Sequence, residues 1–231
     1  MGCLFARNVK KENEVDFKEK VYSWDLKKKN EDKNNFIIES LVNEERIELP
    51  GSVNGHQFLI QNCEDSSIYI LDHTNTVTIY DCRNCKIILG PVKGSVYIGD
   101  CQNCIFVIAC GQLRIRDSRK ILAFVHCETQ PVIEASSAIS FGSYQLQYSQ
   151  LEEHLKCANL DNKKKNWKVA YDFTPLQSET NWKFLENDNA YNYVEDPISS
   201  EAMEKLRSCG VSWCNIEEVP RGSEGALFCD G

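Results

Sequence analysis

Hydrophobic and polar positions alternate in short bursts through the middle of the chain, and the bursts repeat. Leu59-Ile60-Gln61-Asn62-Cys63 is followed by Thr78-Ile79-Tyr80-Asp81-Cys82, Tyr97-Ile98-Gly99-Asp100-Cys101 and Arg114-Ile115-Arg116-Asp117-Ser118. The steps from Ile60 to Ile79 to Ile98 are 19 residues each, and the step to Ile115 is 17. Alternation of this kind belongs to strands with one face buried. It predicts Val77, Ile79, Val96, Ile98, Leu113, Ile115 and Val132 inside, with Thr78, Tyr97, Arg114 and Ile133 outside. A second strand follows each corner, as Ile68-Tyr69-Ile70, Ile87-Ile88-Leu89, Phe106-Val107-Ile108 and Leu122-Ala123-Phe124. The corners are Asn, Asp, Gly and Cys, such as Asp81-Cys82-Arg83-Asn84, because tight turns need unusual backbone angles.

Two or more short strands per coil, without helical spacing between them, predict a mainly β chain wound as a right-handed parallel β-helix. Each coil buries its apolar edge only against its neighbours. A leucine-rich horseshoe has a similar period but needs a Leu-x-x-Leu-x-Leu pattern with Asn, which is missing. Residues 1–20 are charged and irregular and read as a flexible arm. Tyr22-Ser23-Trp24 opens a β-helix domain spanning 21–175, and 176–231 form a C-terminal extension, partly helical or irregular. Leu151 to Leu155 reads as a short helix capping the open end of the stack, since an uncovered end exposes strand edges. Trp167, Trp182 and Phe184 are expected along the flank, as anchors or as a partner-binding surface. Pro197, Ser199 and Ser200 start a last helix from Glu201 to Arg207.

With 231 residues and ordinary hydrophobic (42%) and charged (26%) content, the chain reads as a soluble domain plus an extension. No stretch reaches the ~18 apolar residues of a membrane helix, and the first residues lack the apolar centre of a secretory signal. A net charge of −8 works against a nucleic-acid partner. The basic runs Lys27-Lys28-Lys29 and Lys163-Lys164-Lys165 read as solvated faces. Twelve cysteines without such a signal indicate free thiols in a reducing compartment. Cys82-x-x-Cys85 and Cys101-x-x-Cys104 have the spacing of a four-thiolate zinc site. The repeat offers a simpler origin: Cys63, Cys82 and Cys101 share one coil position, and Cys85 and Cys104 another, so buried thiols stack as ladders.

Two features carry chemistry. Met1-Gly2-Cys3 places Gly2 for N-myristoylation and Cys3 for S-palmitoylation. One myristoyl chain anchors only marginally, so a second chain would be needed for stable attachment, and Arg7, Lys10 and Lys11 add weak attraction to anionic lipid. Ala6 departs from the usual Ser or Thr, and a chance Gly2-Cys3 is the alternative. The second feature is Arg114, with Arg116 on the same outward face and Asp117 at the corner. An exposed arginine alone means solubility. His56, His73, His126 and His154 are scattered along the chain, no triad is visible, and there is no Walker-type glycine loop. Self-contained hydrolysis is therefore not expected, and neither is a metal site.

The segments Gln57-Phe58-Leu59-Ile60, Gly90-Pro91-Val92-Lys93-Gly94-Ser95-Val96, Gln112-Leu113-Arg114-Ile115-Arg116-Asp117 and Thr129-Gln130-Pro131-Val132-Ile133-Glu134 resemble the tubulin-folding cofactor C-type β-helix domain. With Met-Gly-Cys, Tyr22-Ser23-Trp24-Asp25 and Asp172-Phe173-Thr174-Pro175, the chain is similar to the X-linked retinitis pigmentosa protein 2 family in particular. The resemblance implies a GTPase-activating protein for the GTP-bound form of an Arf-like small GTPase. In that family an arginine at the position of Arg114 enters the partner's nucleotide pocket, and Gln112 beside it helps orient the catalytic groups. Gly94, Ser95, Gly111, Leu113 and Arg116 fall on the GTPase- and nucleotide-facing surface, and Glu134 and Phe173 match positions that contact the GTPase. No cofactor of the chain's own is implied, since GTP and magnesium belong to the partner. The resemblance also implies lipidated-cargo trafficking at the cytoplasmic face of the plasma membrane, at the ciliary base or in the cilium. A non-catalytic effector or scaffold, and a tubulin-folding factor with tubulin as partner, are the alternatives. Gly111 stands where relatives usually carry glutamine. The family's larger member has a nucleoside-diphosphate-kinase-like domain that is not expected here.

Overall fold

The computed structural model describes residues 36–160, 168–174, 181–185 and 199–213. Successive coils contribute β1 (Ile37–Glu39) and β2 (Glu45–Glu48), β3 (Phe58–Gln61) and β4 (Ser67–Ile70), β5 (Val77–Tyr80) and β6 (Lys86–Leu89), then β7 (Val92–Gly99) and β8 (Gln102–Arg116). These are followed by β9 (Arg119–Cys127), β10 (Val132–Glu134), β11 (Ser137–Ser143), β12 (Leu146–Gln147) and helix α1 (Leu151–Ala158). Strands β13 (Tyr171–Asp172) and β14 (Trp182–Phe184), helix α2 (Ser200–Ser208) and strand β15 (Ser212–Trp213) complete the order. The 13-stranded sheet is parallel throughout, so the chain is a parallel β-helix. One wall runs through β1, β3, β5, β7, the second half of β8, β10 and β13. A second runs through β2, β4, β6, the first half of β8, β9, β11 and β14.

The core is a ladder. Ile38, Ile60, Ile79, Ile98, Ile115 and Ile133 stack in register, each at most 5% exposed. Full burial of one such side chain stabilises by about 1.5–3 kcal/mol. Turning the chain at each coil takes left-handed backbone at two corners. One corner places Asn62, Asp81, Asp100, Asp117 and Ala135 at φ between 46° and 55°, and the next places Asp65, Asn84, Asn103, Lys120 and Ala138 at 49° to 55°. Asn and Asp tolerate this region best among residues with a Cβ. Their side chains also form a ladder of their own, Asn103 Nδ2 donating to Asn84 Oδ1 at 2.8 Å and Asn84 Nδ2 to Asp65 Oδ1 at 2.9 Å. The cysteines fill the inner side of these corners. Cys63, Cys82, Cys85, Cys101 and Cys104 are buried free thiols, each donating to the carbonyl two residues back.

The structure corrects the expected register of one coil. Ile133 is fully buried opposite Ile115, and Val132 lies opposite Arg114 on the outer face. The corner decides this. Ser118 Oγ accepts from Cys101 N at 3.1 Å, and Ser136 Oγ accepts from Ser118 N at 3.0 Å. The hydroxyls thus continue the thiol ladder and align Ile133-Glu134-Ala135-Ser136 with Ile115-Arg116-Asp117-Ser118.

The expected capping roles are exchanged. Helix α1 does not close the end of the stack but lies on its flank, where Leu151 packs with Tyr69, Leu71, Ile88, Val107 and Phe124. The second strands of the middle coils are largely apolar on both faces, with Ile68-Tyr69-Ile70 of β4 and Ile87-Ile88-Leu89 of β6 all buried, so their outer side needs a cover. The end of the stack is continued instead by β13 on β10 and β14 on β11, with Phe184 tilted against Phe141 at 6.3 Å between ring centres. Residues Trp182–Phe184 of the expected extension therefore join the same sheet. Helix α2 starts one residue earlier and ends one later than expected, capped by Ser199, whose Oγ accepts from Ala202 N at 3.2 Å. Among the described residues no helix is long and apolar enough to cross a membrane. The expectations on residues 1–35, including Gly2, Cys3 and Tyr22-Ser23-Trp24, and those on Lys163-Lys164-Lys165, Trp167, Pro175 and Pro197 lie outside the described residues.

Candidate functional site

The outer face of the first wall presents two columns of side chains. Ile37, Leu59, Thr78, Tyr97, Arg114, Val132 and Tyr171 occupy one in unbroken register. Glu39, Gln61, Tyr80, Gly99, Arg116 and Glu134 form the other, with Phe173 following, its N–H donating to Ile133 O at 2.9 Å. Aromatic and aliphatic groups that a soluble domain would ordinarily cover stand open here, Tyr80 at 44%, Tyr171 at 55% and Phe173 at 56% exposure. The Tyr171 and Phe173 rings pack edge to face at 4.7 Å. Arg116 and Glu134 stand between this pair and Tyr80.

Gln112, Arg114 and Arg116 alternate outward along β8, while Leu113 and Ile115 point inward. Leu113, expected on the partner-facing surface, is 1% exposed and offers that surface no side chain. Same-face neighbours on a strand stand about 6.6 Å apart. The two arginines differ in how they are held. Arg116 Nε donates to Asp117 Oδ2 at 3.0 Å, and Glu134 first, then Asp117, push its already high pKa further up. Arg114 is exposed, and no hydrogen bond or ion pair of Arg114 occurs among the described residues. Its stem rises from a fifteen-residue strand paired on both sides, so its base is fixed while its head is held by none of the described residues.

On one side of Arg114 lies a groove of about 520 Å³ lined by Gly94, Ser95, Gly111 and Gln112, with Lys93, Glu128, Thr129 and the end of α1 at Ala158, Asn159 and Leu160. Four of the expected site residues thus meet in one depression. Gly111 has a packing reason: a Cβ there would lie 2.8 Å from both the Gly94 and Lys93 carbonyl oxygens, because the short coil draws the two backbones together. On the other side, two rungs away, stand Tyr171 and Phe173, about 10 Å from Arg114 at about 4.8 Å per rung. Glu134 lies between, partly exposed. Sequence reasoning named Phe173 and Glu134 but missed Tyr171 and Tyr80. Their signal was the repeat itself: Tyr80 occupies the Arg116 position of an earlier coil, and Tyr171 is two residues before Phe173. The histidines, expected to be scattered, are not all apart: His73 and His154 stand with ring centres 5.4 Å apart, beside the buried Asp72.

A parallel β-helix of short coils with asparagine and aspartate corners defines a class, and the relatives of the chain fall in it. The tubulin binding cofactor C family matches residues 55–173, more than half of the chain, and the chain belongs to that family. Within it the chain is 43% identical to Protein XRP2 of Homo sapiens over 217 residues, covering 92% of this chain and 61% of that protein. It is 48% identical to Protein XRP2 of Danio rerio over 205 residues, covering 88% and 54%. The chain thus spans less than two-thirds of the length of these XRP2 relatives. Tubulin-specific chaperone C of Homo sapiens is more distant, 27% identical over 151 residues, 64% of this chain and 43% of that one. A solved structure, tubulin binding cofactor C from Leishmania major, aligns at a TM-score of 0.48 and 20% identity, covering 66% of this chain and 89% of that one.

Proposed function

We propose that this protein is a GTPase-activating protein for an Arf-like small GTPase, supplying Arg114 in trans to the partner's nucleotide site. The observation that carries the reading is the contrast on β8: Arg116 is held by Asp117 at 3.0 Å, while Arg114 is exposed on a rigid rung. A guanidinium suits the task because it is planar, permanently charged and forked, and can meet several phosphoryl oxygens at once. A finger supplied in trans accelerates hydrolysis by roughly 10³–10⁵, equivalent to about 4–7 kcal/mol of transition-state stabilisation. Fixing the stem lowers the freedom lost when the head inserts. Gln112, one strand step away, is placed to orient the finger or the partner's water-positioning group. The groove at Gly94, Ser95 and Gly111 receives the partner's loops, and Tyr171, Phe173 and Glu134 supply docking contacts. GTP and magnesium are carried by the partner.

The second part of the reading is lipid attachment through Gly2 and Cys3, which would hold the activator at a membrane where lipidated cargo is released. Two acyl chains suffice for stable anchoring where one does not. The deciding experiment is single-turnover GTP hydrolysis by a panel of GTP-loaded Arf-like GTPases with and without the full chain. Stimulation by wild type that disappears in Arg114→Ala, with binding retained, supports the activator. Binding without stimulation by wild type turns the protein into an effector or scaffold, and binding to tubulin alone favours the folding-factor alternative. Mass spectrometry of the N-terminal peptide from expressing cells tests acylation.

A further inference from the structure

We propose that Asp72, His73 and His154 form a binding site for one zinc-class divalent ion, which fastens helix α1 to the flank of the solenoid. Asp72 follows β4 and is fully buried, His73 sits beside it with a side chain 20% exposed, and His154 reaches in from α1 with a side chain 6% exposed. Asp72 Oδ1 lies 3.2 Å from His73 Nδ1 and 3.4 Å from His154 Nε2. Three candidate ligand atoms, one from each residue, fall within 4.8 Å of one another.

The two separations from Asp72 Oδ1 are long for charge-assisted hydrogen bonds and close to those of ligands that share an ion, although the shorter also serves as a His73–Asp72 hydrogen bond. A charge-assisted N–H to carboxylate contact closes to about 2.7–2.9 Å. Ligand atoms sharing a tetrahedral zinc at bonds of about 2.0–2.2 Å stand about 3.3–3.6 Å apart. The outer contacts are also those of a prepared site. Asp72 Oδ2 accepts from Val53 N at 2.8 Å and Asn54 N at 2.7 Å, which fixes the carboxylate and leaves Oδ1 toward the imidazoles. Oδ1 also takes His73 N at 2.8 Å. Tyr148 Oη lies 2.7 Å from His154 Nδ1. With Nδ1–H donating to the phenol, the Nε2 lone pair faces the carboxylate, the usual way a hydrogen-bonded neighbour orients a ligating histidine. His73 forms the partly exposed rim of the cluster, where a water would complete the ion's coordination.

The far end of α1 lines the Gln112 groove, so the ion would steady one border of that groove, although the site stands whether or not the chain activates a GTPase.

The test uses the metal-stripped full chain titrated with zinc alone and, separately, with cobalt. Expected are one tight zinc equivalent per chain, a raised Tm, and cobalt absorption without a thiolate charge-transfer band, since the ligands are nitrogen and oxygen. His154→Gln, folded by circular dichroism, should weaken that equivalent by about 100-fold or more. Tyr148→Phe should weaken it by about 10–100-fold, as loss of an outer hydrogen bond does. Should His154→Gln not fold, His73→Asn at the exposed rim carries the same expectation. Absence of a tight equivalent in wild type, unchanged affinity in the folded histidine variant, or a thiolate band on that equivalent, which would assign it to the cysteines, overturns the proposal.

Discussion

Arg116 Nε stands 3.0 Å from Asp117 Oδ2, and this one contact separates two arginines that leave the same strand on the same face. The corner residue ties down Arg116 because Asp117 must be left-handed, at φ 48°, to turn the chain, which brings its short carboxylate back over the strand end. Arg114 lies one strand step further from the corner, beyond the reach of that carboxylate.

Arg114→Ala is accordingly expected to remove stimulated GTP hydrolysis by about 10³-fold or more while the affinity for the GTP-bound partner falls by less than about tenfold. Arg114→Lys should recover little of the loss, since an ammonium lacks the forked geometry. Single-turnover rates alongside a direct binding measurement separate the two effects, and stimulation unchanged in the alanine variant ends the finger assignment.

Phe173 is 56% exposed and makes its ring contact with Tyr171. Phe173→Ala should leave the Tm within about a degree or two, as surface changes usually do. It should weaken partner binding by about 1–2 kcal/mol, in the range of an aromatic interface anchor. A large loss of Tm without a loss of binding would make the ring a fold element instead.

Gly111→Ala places a methyl 2.8 Å from two backbone oxygens of the preceding coil. Backbone cannot rotate away as a side chain can, so the expected loss is about 1–3 kcal/mol, read from denaturant midpoints. Retention of wild-type stability would show that the short coil opens freely at this point.

Ala138 holds φ 53° at a corner where Asn84 and Asn103 stand in other coils. Left-handed backbone costs an ordinary residue about 1–2 kcal/mol, and asparagine relieves part of it. Ala138→Asn should therefore stabilise by about 0.5–1 kcal/mol, visible as a higher Tm, whereas a neutral or lower Tm would mean that the corner is set by its neighbours.

Much of the fold was legible because a solenoid repeats its physics. The Ile60, Ile79, Ile98 and Ile115 spacing marks the core column, and the Asp81, Asp100 and Asp117 spacing marks the left-handed corners. Reading slipped where the repeat changed its chemistry. At Val132 and Ile133 the corner is Ala135-Ser136 in place of Asp-Cys, and a hydroxyl ladder holds the register that strand alternation alone misjudged. The site was legible in part. Gly94, Ser95, Gly111 and Gln112 do converge, whereas Leu113 belongs to the core, and Tyr171 joins the wall through a coil whose strand is only two residues long.

The sequence by itself determined the coil, its inner and outer faces except at Val132 and Ile133, and the strand on which Arg114 sits, because these follow from alternation and from residues that tolerate a left-handed corner. Tertiary structure alone decided where the helix lies, and that His73 meets His154 across 81 residues of chain. Those outcomes depend on distances between groups far apart in sequence, and they were settled only when the apolar flank of the second strands drew α1 down beside Asp72.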